Sequence, residues 1–248
     1  MKTIIMLSLL GVSLFSQSSL ELAKTSYEAV SGYGSSVSDT TMVLTNAQGI
    51  QNIRKLQMKK LENGDGDKSL LIFLYPSDVK GTKLLSFERV GKDDKQWLYL
   101  PALKRVKRIS SRNRSGSFMA SEFSYEDISS QNYKNYTYIG EAQRVSLEGK
   151  EYFEITRIPK DSNSAYSKQI VYIDTKTYLV AFGEYYDKQN RPLKKLSFLK
   201  YKKIDGVNRV EVMQIQNLQN KKSTTLTFDT DKIKLGLSSK EFSKRELK

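Results

Sequence analysis

The side chains with the greatest capacity for chemistry are concentrated in residues 104–127. A dense basic run occupies residues 104–114, and the acidic residues Glu122, Glu126 and Asp127 follow it. Paired carboxylates can act as general acid and base, whereas arginine guanidinium groups bind phosphate and carboxylate oxygens through paired hydrogen bonds. The segment is therefore a candidate for acid–base chemistry or for anion binding.

The composition excludes most catalytic chemistry. The 248 residues contain no histidine and no cysteine. Histidine is the usual general base at neutral pH and the commonest metal ligand, and cysteine supplies thiol nucleophiles, metal ligands and disulfides. A Ser-Lys pair or paired carboxylates could still catalyse a reaction, but no spacing favours either. We predict a binding protein, not an enzyme, with no cofactor and no metal.

Anion binding is the chemistry that we assign to the basic run. We predict that its arginines bind a lipid head group or an acidic partner: Arg105, Arg108, Arg112 and Arg114. The alternative is a solvated face whose charges pair with the acidic residues that follow, an arrangement of small net stability. Both interpretations remain open from the sequence.

The net charge of the chain bears on which classes of partner it can bind. The formal charge is +14 and the sequence pI is about 9.6. Nucleic-acid binding would use such a charge, but the chain shows no nucleic-acid motif and carries an export signal. Transient contact with anionic lipid at a membrane surface and simple solubility are the other interpretations. We predict no nucleic-acid partner.

The N-terminus predicts export. Lys2 precedes an apolar run over residues 4–15, and small polar residues follow at 16–19. This is the pattern of a secretory signal peptide, and the run is shorter than the ~20 residues of a membrane-spanning helix. We predict a signal peptide at residues 1–18, a single mature domain at residues 19–248 and a periplasmic location. Because no cysteine follows the run, we expect no lipid anchor there.

Hydrophobic periodicity predicts one helix followed by many strands. Leu20, Ala23, Tyr27 and Val30 recur at helical spacing, and Gly32 ends the pattern. The period then falls to two, first in residues 39–45 and 53–58. Further strand-like runs follow over residues 68–75, 83–89, 96–100, 133–143, 151–158, 169–174, 179–187, 194–203, 207–218 and 223–228. The short turns between them, including a hairpin turn at 63–67, predict an antiparallel meander.

Residues 110–131 lack the period-two pattern of the strands, and this segment is called the insert below. It begins as a polar basic loop, and Ser121 is a candidate cap for a short helix in its second half. Phe118, Met119, Phe123 and Ile128 require burial. We expect the insert to lie across the concave side of the sheet.

Two segments carry a resemblance to a known family. Residues 97–109 (WLYLPALKRVKRI) and 117–127 (SFMASEFSYED) closely resemble the central motif of the outer-membrane lipoprotein-sorting protein family, which has a LolA-like fold. Residues 76–82 (PSDVKGT) and 242–247 (FSKREL) are similar to a turn and to the C-terminal ending of that family. The family usually has glycine where this chain has Ala120, so we expect no positive φ at that position.

The resemblance implies a mainly β fold: an incomplete antiparallel β-barrel, or half-barrel, with short helices that cover the concave face. It also implies an apolar cavity that shields acyl chains of a lipid or lipoprotein during transport towards the outer membrane. Members often work beside inner-membrane exporters of the resistance-nodulation-division type. The alternative function is therefore a non-carrier accessory protein that docks on such an exporter.

The aromatic side chains of the two motifs are the candidate ligand-binding residues. In this interpretation the cavity is lined by Trp97, Tyr99, Phe118, Met119, Phe123 and Tyr125. Methionine suits such a role because its flexible side chain adapts to ligands of differing shape. The alternative for each of these residues is ordinary packing in the core.

Overall fold

The computed structural model describes residues 17–64, 66–92, 94–129 and 131–248. Within these residues the chain forms thirteen strands in one sheet and two α-helices. The strands are β1 Ser35–Thr45, β2 Gln51–Leu61, β3 Lys68–Tyr75, β4 Lys83–Phe87, β5 Lys95–Leu100, β6 Arg105–Ile109, β7 Tyr136–Leu147, β8 Lys150–Pro159, β9 Lys168–Asp174, β10 Val180–Tyr186, β11 Pro192–Ile204, β12 Val207–Asn217 and β13 Ser223–Ile233. The helices are α1 Ser19–Glu28 and α2 Tyr125–Ile128.

The sheet is antiparallel throughout and is not closed. Its strand order is β6-β5-β4-β3-β2-β1-β13-β12-β11-β10-β9-β8-β7. The chain therefore starts in the middle of the sheet, runs as a meander to one edge at β6, crosses to the other edge at β7 and returns to pair β13 with β1. The predicted fold class, an incomplete antiparallel barrel with short helices, is confirmed.

The turn between β2 and β3 shows why glycine is required at one position. Leu61 pairs with Lys68, as expected for the predicted hairpin. Gly66 has a φ of +126°, and a Cβ on it would lie 2.3 Å from the carbonyl oxygen of Glu88. A side chain at this position would clash with the backbone that follows β4.

Strand β6 was not predicted from the sequence. Arg105 and Arg108 were expected just beyond a strand, yet both lie within β6 and pair with β5. Only Val106 and Ile109 are apolar in this strand, so hydrophobic alternation is absent. An edge strand pairs on one side only, and a polar edge is common because charge prevents association with other chains.

The insert lies across one face of the sheet, as predicted. We call this the inner face, and the opposite one the outer face. Phe118 and Phe123 pack on side chains from both halves of the sheet, among them Leu56 of β2 and Leu226 of β13. The Arg54 guanidinium also donates to the carbonyl oxygen of Met119. The insert therefore contacts both halves of the sheet.

Two local expectations about the insert are wrong. Ser124, not Ser121, caps α2: its hydroxyl accepts from the N–H of Asp127 at 3.2 Å, and the Asp127 carboxylate accepts from the N–H of Ser124 at 2.8 Å. Ala120 does have a positive φ, +59°, next to Met119 at +51°. The hydrogen bond from the N–H of Phe118 to the carbonyl oxygen of Phe123 closes this loop tightly enough to hold both residues there.

Helix α1 covers another part of the inner face. Leu22 and Ala23 pack on Ile155 of β8 and on Val171 and Ile173 of β9. Helical spacing predicted this helix correctly, because one side of it is apolar and needs burial. Among the described residues, no helix is long and apolar enough to cross a membrane.

The chain N-terminal to α1 is described only from Gln17. The carbonyl oxygen of Gln17 accepts from the N–H of Ala142, and Ser18 forms a bridge with Glu141 of β7. The predicted signal peptide lies almost wholly outside the described residues, and its cleavage position stays a prediction.

Candidate ligand cavity

A cavity of about 290 Å³ lies on the inner face between α1 and the insert. Ala23, Ser26 and Tyr27 of α1, with Val30 just after the helix, form one wall, and Phe123 of the insert lies on another. The sheet supplies the rest of the lining. The cavity exists because α1 and the insert cover different parts of the inner face and do not fill the space between them.

The strands of the second half of the sheet give the cavity an apolar side. Its apolar lining side chains from β8 to β13 are Ile155, Val171, Ile173, Val180, Leu196, Phe198, Val210, Met213, Leu226 and Phe228. The same strands also contribute Arg157, Tyr185, Tyr201, Asn208, Arg209 and Asp231 to the lining. Leu196 and Leu226 are also part of the core beneath the insert. This side therefore offers most of the apolar surface of the cavity to a ligand.

The strands of the first half of the sheet give the cavity a polar side. Strand register places Ser36, Lys60, Ser69 and Ser86 in one row across β1 to β4. All four line the cavity. The row ends at Gln96 of β5, whose amide donates to the carbonyl oxygen of Tyr125 in the insert at 3.0 Å. Because three of the four lining residues are serines, this row leaves open space where larger side chains would fill it.

The acidic residues that line the cavity already have partners. Both carboxylate oxygens of Glu62 accept backbone N–H groups, from Gly32 at 2.9 Å and from Gly34 at 2.6 Å. Asp231 accepts two hydrogen bonds from Arg209.

Two further acidic residues, Asp67 and Glu88, are linked to each other through the backbone. Glu88 accepts from the N–H of Asp67 at 3.2 Å and from the side-chain amide of Asn135 at 3.2 Å. The carboxylate of Asp67 accepts from the N–H of Asn63. Burial raises the pKa of Asp67 above its usual value, although this hydrogen bond and Lys60 oppose that effect.

Lys60 differs from these acidic residues in its lack of a hydrogen-bond or ion-pair partner among the described residues. In the described parts of the chain, no hydrogen bond or ion pair within 4.0 Å involves its ammonium group, although Lys60 lines the cavity. Burial, and then the nearby charge of Arg209, lower the pKa of Lys60. Both effects disfavour the charged ammonium in the absence of a counter-ion.

A second set of buried charges anchors the insert to the sheet. The Asp127 carboxylate accepts from the ammonium of Lys194 at 3.1 Å and from the hydroxyl of Tyr166 at 2.8 Å. Asp127 is 1% exposed and Lys194 10%. The Glu126 carboxylate accepts from the N–H of Ala165 at 2.9 Å. Burial, with the charge of Asp127, raises the pKa of Glu126 to about 7.

The predicted ligand-binding residues lie in three different environments. Phe123 lines the cavity and is 1% exposed. Phe118, Met119 and Tyr125 pack in the core beneath the insert and are not among the residues that line the cavity. Ligand contact by these four side chains stays a prediction.

Trp97 and Tyr99 lie on the outer face. Trp97 packs in a cluster with Phe242 and Leu247 of the C-terminal segment, residues 237–248, and Tyr99 packs against the same cluster. The Lys244 ammonium lies 4.7 Å from the centre of the Trp97 ring. Period-two spacing correctly places the two aromatics on one face, but this face is opposite the cavity. A ligand role for them would need a separate site there.

The predicted arginines also divide into two groups. Arg105, Arg108 and Arg112 are exposed. Arg114 is buried and forms ion pairs with Asp94 at 2.8 Å and Asp161 at 3.0 Å. The structure thus gives Arg114 a structural role, whereas partner or head-group binding by the exposed arginines stays a prediction. The acidic residues of the insert pair with other partners, as Asp127 shows.

Comparisons with known proteins identify the family. A family model described only as that of an uncharacterized protein matches residues 65–248. The crystal structure of an outer-membrane lipoprotein-sorting protein domain from Vibrio parahaemolyticus is 42% identical with a TM-score of 0.86, over 92% of this chain and 97% of that one. This chain belongs to the outer-membrane lipoprotein-sorting protein family.

Other solved structures agree with the family assignment. A DUF1329 family protein from Desulfovibrio piger is 30% identical with a TM-score of 0.86, over 93% of this chain and 98% of that one. A LolA superfamily protein from Nitrosomonas europaea shares the fold at 17% identity, with a TM-score of 0.75 over 92% of this chain and 99% of that one. A search of the curated proteins finds no match. The resemblance carried by residues 97–109 and 117–127 is confirmed.

Proposed function

We propose that this lipoprotein-sorting family member is a periplasmic carrier that binds the acyl chain of a lipid or lipoprotein in the cavity beneath α1. The observation that carries the proposal is the apolar side of this cavity, formed by β8 to β13. Covering an acyl chain there removes apolar surface from water, which is worth about 25 cal/mol per Å². Binding and release need no catalytic group.

The cavity volume bears on the size of the ligand. About 290 Å³ lies at the lower end of the ~300–1,000 Å³ typical of small-molecule pockets. This space suits one acyl chain better than the several chains of a fully acylated lipoprotein. Larger cargo would require α1 or the insert to move away from the sheet.

A cavity-filling variant tests the proposal. Ser26 of α1 is buried and lines the cavity, whereas Thr25 beside it is exposed. We expect Ser26→Phe to abolish most binding of a fluorescent acyl probe to delipidated protein, because the ring occupies the ligand space. Thr25→Phe is the matched control and should bind like the wild type.

Lipid extraction and native mass spectrometry of protein purified from periplasm provide a second readout. A carrier should copurify with acyl ligand at close to one per chain, and Ser26→Phe should lose that ligand. Absence of ligand together with no probe binding by the wild type would contradict the carrier proposal. That result would favour the accessory role, in which the exposed Arg105, Arg108 and Arg112 contact an exporter.

A further inference from the structure

We infer that the cavity selects an amphiphile with an anionic head group, a carboxylate or a phosphate, and that Lys60 binds this head. The inference rests on the proposed function and adds the class of ligand. Its basis is the two-sided lining: an apolar side on β8 to β13 for the tail, and the row of Ser36, Lys60, Ser69 and Ser86 for the head.

The charged residues that line the cavity set its electrostatics. Besides Lys60 they are five carboxylates and three basic groups: Glu62, Asp67, Glu88, Asp127, Asp231, Lys68, Arg157 and Arg209. Arg209 is bound to Asp231 in a two-pronged ion pair, with distances of 2.7 and 3.3 Å. The Arg157 side chain donates to the amide oxygens of Gln169 and Gln131 at 2.8 and 3.1 Å. The Lys68 ammonium lies 5.4 Å from the centre of the Phe87 ring, which packs in the cluster on the outer face. Lys60 is the lysine in the inner-face row for which the described residues provide no hydrogen-bond or ion-pair partner.

The environment of Lys60 disfavours its charged form. Lys60 is half-buried, and a partly desolvated ammonium without a hydrogen-bonded counter-ion is stabilised either by loss of its proton or by an anionic ligand. Glu62, Asp67, Glu88 and Asp231 are held by other donors, as described above, and none lies within 4.0 Å of the Lys60 ammonium among the described residues. An anion placed beside Lys60 would supply the missing charge.

Serine hydroxyl groups beside Lys60 can supply hydrogen bonds to the anion. Ser36 and Ser69 flank Lys60 on the neighbouring strands, and Ser86 follows Ser69 in the same row. Hydroxyl groups donate readily to carboxylate and phosphate oxygens, and charge-assisted hydrogen bonds are stronger than neutral ones. The row therefore combines one cation with hydroxyl donors next to a space that a tail can enter.

The test compares three single-chain amphiphiles that share one tail: oleate, with a carboxylate; oleoyl lysophosphatidate, with a phosphate; and monoolein, which is neutral. We expect the delipidated wild-type protein to bind at least one of the two anionic forms about tenfold to a hundredfold more tightly than monoolein. Whichever of oleate and lysophosphatidate binds more tightly identifies the head-group chemistry.

Variants of Lys60 decide whether this residue is responsible. Lys60→Met should remove the preference, measured as the ratio of the affinity for the anionic amphiphile to that for monoolein, whereas Lys60→Arg should retain it. Lys55→Met is the matched control, because Lys55 is exposed on the same strand. If Lys60→Met does not fold, Lys60→Gln serves in its place.

Three results would contradict the inference, and they differ in what else they overturn. An unchanged preference for the anion in folded Lys60→Met or Lys60→Gln would overturn the role of Lys60 while leaving the carrier function intact, as would equal affinity of the wild type for all three amphiphiles. Failure of the wild type to bind any of the three would overturn the proposed function as well.

Discussion

Phe123 shows how one side chain serves both the core and the cavity. It is 1% exposed and packs in the cluster that holds the insert to the sheet, yet it also lines the cavity. A residue in this position cannot be assigned to ligand or core by burial alone. Replacing it with alanine would remove core packing, worth about 3–5 kcal/mol for a buried phenylalanine, together with part of the cavity wall.

Lys60 shows what the sequence could and could not reveal about the site. Two lysines are adjacent at positions 59 and 60, and neither residue type by itself indicates which of them faces inward. The alternation of Leu56 and Met58, both buried, extends to Lys60 and was the available signal. The serines beside it come from residues 36, 69 and 86, which only strand register brings together.

Glu126 should make stability depend on pH. Its folded-state pKa of about 7 lies above the usual value, with burial as the main cause and Asp127 adding to it. The folded state therefore keeps a proton that the unfolded chain has lost. The resulting stabilisation is complete below about pH 4.5 and is lost as pH rises towards 7.

We expect Glu126→Gln to flatten this part of the stability profile, because glutamine does not ionise and its oxygen can still accept from the N–H of Ala165. We compare the free energy of unfolding of the variant with that of the wild type at each pH. This difference should shift in favour of the variant by on the order of 2 kcal/mol between pH 4.5 and pH 8. Urea unfolding across pH 4.5–8 measures the difference, and Glu148→Gln in an exposed turn is the control. Parallel profiles for wild type and Glu126→Gln would contradict the prediction.

The insert is the element that connects the two halves of the sheet. Its backbone and side chains contact β2, β5, β11, β12 and β13, as the hydrogen bonds of Met119, Glu122, Tyr125 and Asp127 show. Its apolar residues and its position on the inner face could be predicted from sequence, because a run of large side chains needs burial. The Asp127 contact with Lys194 could not, since 67 residues separate the partners.

Removing Asp127 should release this element. Asp127→Ala leaves the ammonium of Lys194 buried without its carboxylate and also removes the carboxylate that accepts from the N–H of Ser124 at the cap of α2. We expect a loss of about 3–5 kcal/mol in the free energy of unfolding. Chemical denaturation of Asp127→Ala and the wild type measures this loss.

The double variant Asp127→Ala with Lys194→Met separates the ion pair from the cap. It should recover most of the loss, because no unpaired charge then remains buried. The lost hydrogen bond from the N–H of Ser124 should account for a residual loss of about 1 kcal/mol. If the double variant is no more stable than Asp127→Ala, the buried charge of Lys194 is not the cause.

At the scale of the whole molecule, hydrophobic alternation was enough to predict the meander. The predicted run at residues 68–75 coincides with β3, and most of the other runs differ from the strands by one to three residues at their ends. Alternation also places Trp97 and Tyr99 together, but it does not say which face of a sheet is the inner one. Both faces carry apolar residues here, because the C-terminal segment covers part of the outer face.

Ligand binding on the inner face should therefore not change the environment of side chains on the outer face. Trp97, the single tryptophan of the chain, is 8% exposed on the outer face beside Phe242. We expect binding of a non-fluorescent fatty acid in the cavity to leave the Trp97 emission maximum unchanged, since the sheet separates the ring from the ligand. Phe242→Ala should shift the emission to longer wavelength by admitting water to the ring, with little effect on fatty-acid affinity. Fluorescence and calorimetric titrations of the two proteins measure both effects. A ligand-induced shift of Trp97 emission that disappears in Ser26→Phe would show that the faces are coupled, and it would support the role in ligand binding that the sequence predicts for this tryptophan.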